Sequence, residues 1–184
     1  MPAALLIIDV QKAIDHPSWG HDRNNPDAEA NIARLLARWR ANRWPVFHIR
    51  HVSRDPHSTY RDSPFKDEVM PAAAERIIDK STNSAFIGTT LERDLRALGI
   101  EQVVLTGVIT NNSVEATARM AGNLGFRTVV VSDATATFGR RDYNGVWRTA
   151  AEVHAMSLAN LDGEYAQVME TATVLSVNPR PDLP

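Results

Sequence analysis

Residues 4–9 read ALLIID, a short and nearly continuous run of apolar residues that ends at a carboxylate, Asp9. Such a run is typical of a strand that is buried on both faces of a parallel sheet. Further strand candidates follow along the chain, at residues 46–49, 77–78, 103–105, 129–131 and 173–175. Segments with helical spacing of apolar residues lie between them. This alternation predicts an α/β protein whose parallel sheet is covered on both faces by helices.

The helices are predicted from the same spacing rule. Apolar side chains recur at helical intervals between residues 27 and 44, and Pro45 ends that segment. Thr89-Thr90-Leu91-Glu92 fits a capping box and predicts a helix that runs to Gly99. Further helices are expected from about Ser113 to Leu124 and around residues 149–161. The Pro-, Ser- and Asp-rich segment 53–71 is a long connection of the kind that forms lids or binding loops.

Composition limits the possible classes of protein. The 184 residues include no cysteine, which excludes disulfides, iron–sulfur clusters and a thiol nucleophile in this sequence. Lys and Arg total 20 against 22 Asp and Glu, so no global field attracts nucleic acid or an anionic membrane. The apolar run at the N-terminus lacks a basic leader and meets Asp9 too soon for a signal peptide or membrane span. We therefore expect a single domain over residues 1–184, in the cytoplasm.

Candidate functional residues follow three of the predicted strands. Asp9 follows the first strand, Lys80 follows the third, and the loop 107–113 joins the fourth strand to a helix that begins near Ser113. Taken singly, Asp9 could accept hydrogen bonds in a loop, Lys80 could be solvated and Ser113 could be a helix N-cap. Ligands of open parallel sheets bind at the carboxyl ends of the strands. An acid, a base and a hydroxyl at one edge of the sheet therefore predict a site there.

Several segments carry a resemblance to a known family. They are residues 4–11, Lys80 to Phe86 with 88–91, and the long match at 105–119, which reads LTGVITNNSVEATAR, with support from residues 121–126 and 131–138. In this ordered set the chain resembles the isochorismatase-like hydrolase superfamily, also called cysteine hydrolases. That superfamily includes nicotinamidases, isochorismatases and several hydrolases of small amides.

The resemblance implies a fold and a site. The fold would be a three-layer α/β/α sandwich around a mostly parallel six-stranded sheet, which is a Rossmann-like architecture. Asp9, Lys80 and the residue at position 113 would form a catalytic triad. In members with Cys at that position, the Asp takes the thiol proton and the thiolate attacks an amide or related carbonyl. By the same resemblance the peptide between Val108 and Ile109 would be cis, with the N–H groups of Ile109 and Ser113 forming an oxyanion hole.

The residue at position 113 departs from this pattern, because it is Ser rather than Cys. A hydroxyl is far less acidic than a thiol, and a carboxylate of ordinary pKa is a poor base for it. Ser113 could be a natural nucleophile acting on a C–N or C–O bond of a small amide or ester, or a replaced Cys that stops turnover. Alternatively, the reaction could need no nucleophile, as in isochorismatases, where the Asp is the general acid that cleaves a vinyl ether. A catalytically silent ligand-binding member is a further alternative.

Metal and cofactor sites are not expected. Nicotinamidases of this superfamily carry an Asp-x-His metal pair after the second strand, whereas residues 47–52 here read FHIRHV. Trp19, His51, Tyr60 and Phe86 are predicted to line a pocket for a small-molecule substrate. Arg50 is either an anchor for a substrate carboxylate or a solvated side chain. The resemblance also implies a homo-oligomer.

Overall fold

The computed structural model describes residues 3–176. Its regular elements follow one another as β1 (Ala4–Ile8), α1 (Ala28–Ala41), β2 (Val46–His51), β3 (Arg76–Lys80), α2 (Leu91–Ala97), β4 (Gln102–Val108), α3 (Glu115–Asn123), β5 (Arg127–Ala136), β6 (Arg140–Arg141), β7 (Trp147–Arg148), α4 (Ala150–Ala159), β8 (Gln167–Met169) and α5 (Thr171–Ser176). Strands alternate with helices along most of the chain, as the sequence predicts.

Six of the strands form a parallel sheet in the order β3-β2-β1-β4-β5-β8. From β1 the chain adds strands in one direction, and from β4 it adds them in the other. The strand order therefore reverses between β1 and β4, which lie side by side with Ile8 opposite Gly107. In sheets of this kind the crevice at that reversal is the usual place for a ligand.

Helices cover both faces of the sheet. On β1, Leu6 and Ile8 face a core shared with α2 and α3. Leu5 and Ile7 face the opposite core, which α1 and α5 complete. All five residues of β1 are buried, because a central parallel strand has helices on both of its sides. The protein is thus the predicted three-layer α/β/α sandwich. No helix between residues 3 and 176 is long and apolar enough to cross a membrane.

One strand prediction is wrong. Residues 173–175 belong to the helix α5, and the last strand of the sheet is β8, at Gln167–Met169. The carboxylate of Asp133 explains the helix, because its Oδ1 accepts hydrogen bonds from Thr171 N (2.7 Å) and from Thr171 Oγ1 (2.8 Å) at the start of α5. Val174 then packs into the core beside α1. A contact with a distant residue therefore overrides the strand preference of the Thr-Val-Leu run.

The capping box predicted at residues 89–92 is also absent. α2 begins at Leu91, and its N-cap residue Thr90 makes no capping hydrogen bond to the backbone. The Thr90 hydroxyl donates to the side chain of Asp94 instead, at 2.8 Å. A capping box does occur at the start of α4, where Thr149 and Glu152 exchange hydrogen bonds.

Candidate active site

Asp9 lies directly after β1, at the point where the strand order reverses. Its backbone has a positive φ of 55°, so the chain turns sharply away from the strand direction at this residue. The backbone N–H of Asp9 still donates to Ile49 O (2.9 Å), which holds the turn against β2. The residue is only 3% exposed, so its carboxylate lies at the bottom of the crevice.

Lys80 is the last residue of β3, two strands away, and its side chain extends across the end of β2 to reach Asp9. Lys80 Nζ donates to Asp9 Oδ2 at 2.7 Å and to the carbonyl of Thr82 at 3.1 Å. It also lies 3.2 Å from Ser113 Oγ and donates to it. The side chain of Lys80 has no exposed surface. The alternative of a solvated lysine does not hold.

Ser113 lies in a single π-helical turn, Thr110–Val114, which joins β4 to α3. The N-cap residue of α3 is Val114, so Ser113 is not the cap of that helix. Its hydroxyl oxygen accepts from Lys80, which leaves the hydroxyl proton free for another acceptor. The second carboxylate oxygen of Asp9, Oδ1, is buried and accepts no hydrogen bond from any group between residues 3 and 176.

Burial raises the pKa of Asp9 above its ordinary value, and this effect outweighs the opposing effects of the Lys80 charge and the Ser113 hydroxyl. Removing a carboxylate from water disfavours its charged form, and Asp9 is almost completely removed. A carboxyl group with a raised pKa is both a better base when ionised and a usable acid when protonated.

The oxyanion-hole candidates lie beside these three side chains. The peptide bond between Val108 and Ile109 is cis. Both residues line the same cleft as Asp9 and Ser113. Gly107 comes just before them with a φ of 119°, and a Cβ atom there would collide with the backbone of Ile8. Only glycine lets β4 approach β1 this closely at the edge of the sheet.

The cleft above Asp9 has a volume of about 380 Å³, which suits a small molecule. Three of the residues predicted to line it do so: Trp19, His51 and Tyr60. The Tyr60 ring contacts both of the others edge to face, with centroids 6.2 Å from Trp19 and 5.4 Å from His51. The Trp19 indole is fixed by a hydrogen bond from its Nε1 to Ala13 O at 3.0 Å. The cleft therefore has one rigid aromatic wall.

His51 lies between this wall and Lys80. Its Nδ1 is 3.5 Å from Lys80 Nζ. Burial lowers the pKa of His51 below its ordinary value, and the nearby charge of Lys80 lowers it further. His51 is therefore a neutral imidazole at neutral pH.

Two of the residues considered from the sequence do not reach the cleft. Phe86 stacks on Phe126, with ring centroids 5.9 Å apart, and packs against the core on the α2 and α3 side of the sheet. Arg50 forms a bidentate pair with Asp79, with both N–O distances 2.7 Å. Arg50 and Asp79 lie opposite each other on β2 and β3, so the charge of each side chain is paired with that of the other. Neither Phe86 nor Arg50 lines the cleft.

Sequence reasoning gave no role to Gln11, which organises the wall of the cleft. Gln11 is completely buried. Its side chain accepts from His51 N (2.8 Å) and donates to His51 O (3.1 Å) and to Ser63 O (2.8 Å). One amide thus ties the end of β2 to the long loop that carries Tyr60. A polar residue two positions after Asp9, in a segment otherwise predicted to be buried, is the signal that could have indicated it.

No cluster of three or more His, Asp or Glu side chains capable of holding a metal ion occurs within residues 3–176. The arrangement consists of an acid, an ammonium group and a hydroxyl beneath a small cleft. It has the components for proton transfer and nucleophilic attack on a carbonyl carbon.

The fold is thus a parallel α/β sandwich in which an acid, a lysine and a serine hydroxyl meet where the strand order reverses. The family model "Isochorismatase domain" matches residues 3–173. The chain belongs to the isochorismatase family, whose members are hydrolases.

Individual relatives agree with this assignment. The chain is 46% identical to the uncharacterized isochorismatase family protein YrdC of Bacillus subtilis (strain 168), over 94% of each chain. It is 30% identical to Nicotinamidase 3 of Arabidopsis thaliana, over 91% of this chain and 84% of the relative. A crystal structure of a protein of the isochorismatase family from Chromobacterium violaceum ATCC 12472 superposes with a TM-score of 0.92 at 54% identity, covering 95% of this chain and 92% of that one.

Proposed function

We propose that the protein hydrolyses a C–N or C–O bond next to the carbonyl of a small amide or ester, with Asp9, Lys80 and Ser113 as its catalytic residues. The observation that carries the proposal is the position of Lys80 Nζ, 2.7 Å from Asp9 Oδ2 and 3.2 Å from Ser113 Oγ, beneath the cleft. The similarity to a nicotinamidase over most of both chains supports an amide as the substrate.

The proposed reaction has two halves. In the first, Asp9 takes the proton of the Ser113 hydroxyl while Oγ bonds to the carbonyl carbon, and the N–H groups of Ile109 and Ser113 receive the oxyanion. The C–N or C–O bond then breaks, and Asp9 returns the proton to the leaving group. In the second half, Asp9 takes a proton from water, the resulting hydroxide attacks the acyl group, and the acid product leaves as the proton returns to Ser113 Oγ.

Two features compensate for the low acidity of a serine hydroxyl. Burial raises the pKa of Asp9, so its carboxylate is a stronger base than an exposed aspartate. The ammonium group of Lys80 lies close enough to Ser113 Oγ to stabilise negative charge as it develops there. Lys80 therefore acts on both the base and the nucleophile.

The test is turnover by the wild type and by Ser113→Ala on a panel of small amides and aryl esters, with mass spectrometry to detect acylated protein. The wild type should hydrolyse at least one member and carry the acyl group on Ser113. Ser113→Ala should lose about 10³-fold or more in kcat/KM, as expected when a nucleophile is removed. Ser113→Cys should retain activity or exceed the wild type on amides, because a thiol ionises more readily.

Ser157→Ala is the matched control. Ser157 is a buried serine on α4 whose hydroxyl donates to Glu115, outside the cleft, so its removal should leave kcat/KM unchanged. Activity that appears only in Ser113→Cys would contradict a serine nucleophile. Full activity of Ser113→Ala on an amide would contradict any nucleophile at position 113.

The raised pKa of Asp9 favours one alternative reaction, the cleavage of a vinyl ether with Asp9 as general acid. This reaction needs a protonated carboxyl group and no nucleophile. Turnover of isochorismate, unaffected by Ser113→Ala and abolished by Asp9→Asn, would establish it. Binding of a panel member by the wild type, with neither reaction detected in any variant, would favour the remaining alternative, a ligand-binding member without catalysis.

We further propose that the chain forms a homo-oligomer through the outer face of α4 and the β6–β7 hairpin. The buried side of α4 carries Ala150, His154 and Ser157. Its exposed side includes Ala151, Ala155 and Ala159, and Met156 is 65% exposed. Trp147 on the hairpin is 52% exposed. A patch of exposed apolar side chains is typical of a protein–protein contact surface. Light scattering should give a multiple of the chain mass for the wild type and a smaller species for Met156→Lys.

We also propose that the protein is located in the cytoplasm.

A further inference from the structure

Charge is distributed unevenly around the cleft. Asp9 at its base and Asp55 at its rim both line it, whereas no Arg or Lys between residues 3 and 176 does so. Besides these two carboxylates, the lining holds two histidines, His51 and His57, and otherwise only uncharged side chains. A substrate that carries its own carboxylate would need a cation to balance it.

Lys80 is the nearest cation, but its donors are already used. Its three protons face Asp9 Oδ2, Thr82 O and Ser113 Oγ, at 2.7, 3.1 and 3.2 Å, and its side chain has no exposed surface. A substrate carboxylate could bind Lys80 only by displacing one of these partners. Its charge is balanced by the Asp9 carboxylate 2.7 Å away, so this ion pair offers the ligand neither a free cation nor a free anion.

Three other cations near this edge of the sheet are not part of the cleft lining. Arg50 is paired with Asp79. Lys66 is paired with Asp15 and Glu29, at 2.8 and 3.0 Å. Arg54 is an exposed residue of the loop 53–66 and is not part of the cleft lining.

His51 adds a hydrogen-bond donor without adding charge. Its Nδ1 lies 3.5 Å from the positively charged ammonium group of Lys80, which disfavours a proton on Nδ1. The ring proton is therefore on Nε2, which has no hydrogen-bond partner within residues 3–176 and belongs to a side chain that lines the cleft. The lowered pKa of His51 agrees with a neutral ring.

We propose that the cleft selects uncharged substrates: a small amide or ester without a carboxylate, whose flat part lies against Trp19 and Tyr60 and whose polar group accepts from His51 Nε2–H. This inference rests on the proposed function, since it concerns the substrate of the same site. It distinguishes a neutral amide from carboxylate-bearing molecules such as isochorismate.

The test uses probe pairs that differ only in a carboxylate: benzamide with 4-carbamoylbenzoate, and phenyl acetate with 4-acetoxybenzoate. Turnover is measured with the wild type, and binding with Ser113→Ala by calorimetry. The neutral member of each pair should be preferred by at least about tenfold, because one unfavourable charge contact across a partly screened cleft has about that effect. Equal or tighter binding of the carboxylates overturns the inference, and so does failure of both neutral probes to bind at millimolar concentration.

Two variants change the charge of the lining, and a third is the control. Asp55→Asn should reduce the preference for neutral probes severalfold, and Asn112→Arg should raise carboxylate affinity by about tenfold or more. Arg54→Gln, outside the lining, should change neither; a selective loss of carboxylate binding in Arg54→Gln would show that Arg54 serves the cleft and would overturn the inference.

The binding measurement separates this inference from the proposed reaction. If Ser113→Ala binds the neutral probes selectively while the wild type hydrolyses nothing, the reaction fails and the charge selection stands. If the wild type hydrolyses both members of each pair equally well, the reaction stands and the charge selection fails.

Discussion

Lys80 Nζ lies 2.7 Å from Asp9 Oδ2, and the two side chains are 0% and 4% exposed. This is a buried ion pair formed by residues that are 71 positions apart in the sequence. Such pairs contribute little net stability, but the loss of one partner leaves an uncompensated buried charge. The pair is therefore a constraint on both the activity and the stability of the protein.

Removal of either partner should destabilise the protein more than removal of both. Lys80→Met leaves Asp9 buried without its cation and should lower the free energy of unfolding by about 3–5 kcal/mol at neutral pH. The double variant Asp9→Asn with Lys80→Met should recover most of that loss. Denaturant unfolding of the wild type, Lys80→Met, Asp9→Asn and the double variant gives the coupling free energy between the two charges directly. Additive effects would show that the two charges are not coupled.

The pH dependence of turnover should reveal which role Asp9 has. If Asp9 is the base of amide or ester hydrolysis, kcat/KM falls as the pH drops through its raised pKa, because the protonated form is inactive. If Asp9 is the general acid of a vinyl-ether reaction, kcat/KM falls as the pH rises through the same pKa. The titration should lie above the ordinary aspartate value of 3.8 in either case.

Asp9→Asn is the control for this profile. The amide can neither take nor supply the proton, so turnover should be lost at every pH, by about 10³-fold or more. Retention of a pH-dependent limb in Asp9→Asn would assign that limb to another group and would remove Asp9 from the reaction.

Most of the sheet and the meeting of Asp9, Lys80 and Ser113 could be predicted because they depend on local patterns and one general rule. Runs such as residues 4–8 and 103–105 have the branched apolar character of buried strands. Parallel strands bring their carboxyl ends to one edge. Residues that follow different strands are therefore brought together without any knowledge of their packing.

The features that could not be predicted depend on contacts between distant residues. α5 forms where a strand was expected because Asp133 caps it. Phe86 and Arg50 miss the cleft because Phe126 and Asp79 offer them nearer partners. Each of these three contacts joins residues that are far apart in the sequence, so no local pattern indicates them.

Gln11 should act as a positioning residue. Gln11→Leu removes the hydrogen bonds to His51 and Ser63, and each buried group left without a partner costs roughly 1–3 kcal/mol. Because His51 and the loop that carries Tyr60 would shift, KM should rise more than kcat falls. Steady-state kinetics on the best substrate of the panel, together with thermal unfolding, measure both effects.

Gln102→Leu is the matched control for Gln11→Leu. Gln102 is a buried glutamine at the first position of β4, at the opposite edge of the sheet from the cleft. Its replacement should leave KM unchanged, whatever its effect on stability. An equal rise of KM in both variants would mean that Gln11 acts only through global stability.

The acid stability of the protein should depend on Glu75. Burial alone would raise the pKa of Glu75, but hydrogen bonds from Arg40 (2.7 and 2.8 Å), from Ala72 N (2.8 Å) and with His48 (2.8 Å) lower it to about 2. Because the folded-state pKa lies below the ordinary value of 4.5, the stabilisation is present above pH 4.5 and is lost as the pH falls towards 2. Since Arg40 is partly exposed, we expect a loss of about 2 kcal/mol over that range.

Urea unfolding at a series of pH values measures this loss of stability. Glu75→Gln should flatten the pH profile of the unfolding free energy. Asp79→Asn is the control: it breaks only the surface pair with Arg50 and should change stability at neutral pH by less than about 1 kcal/mol. A profile for Glu75→Gln as steep as that of the wild type would assign the acid sensitivity to other carboxylates.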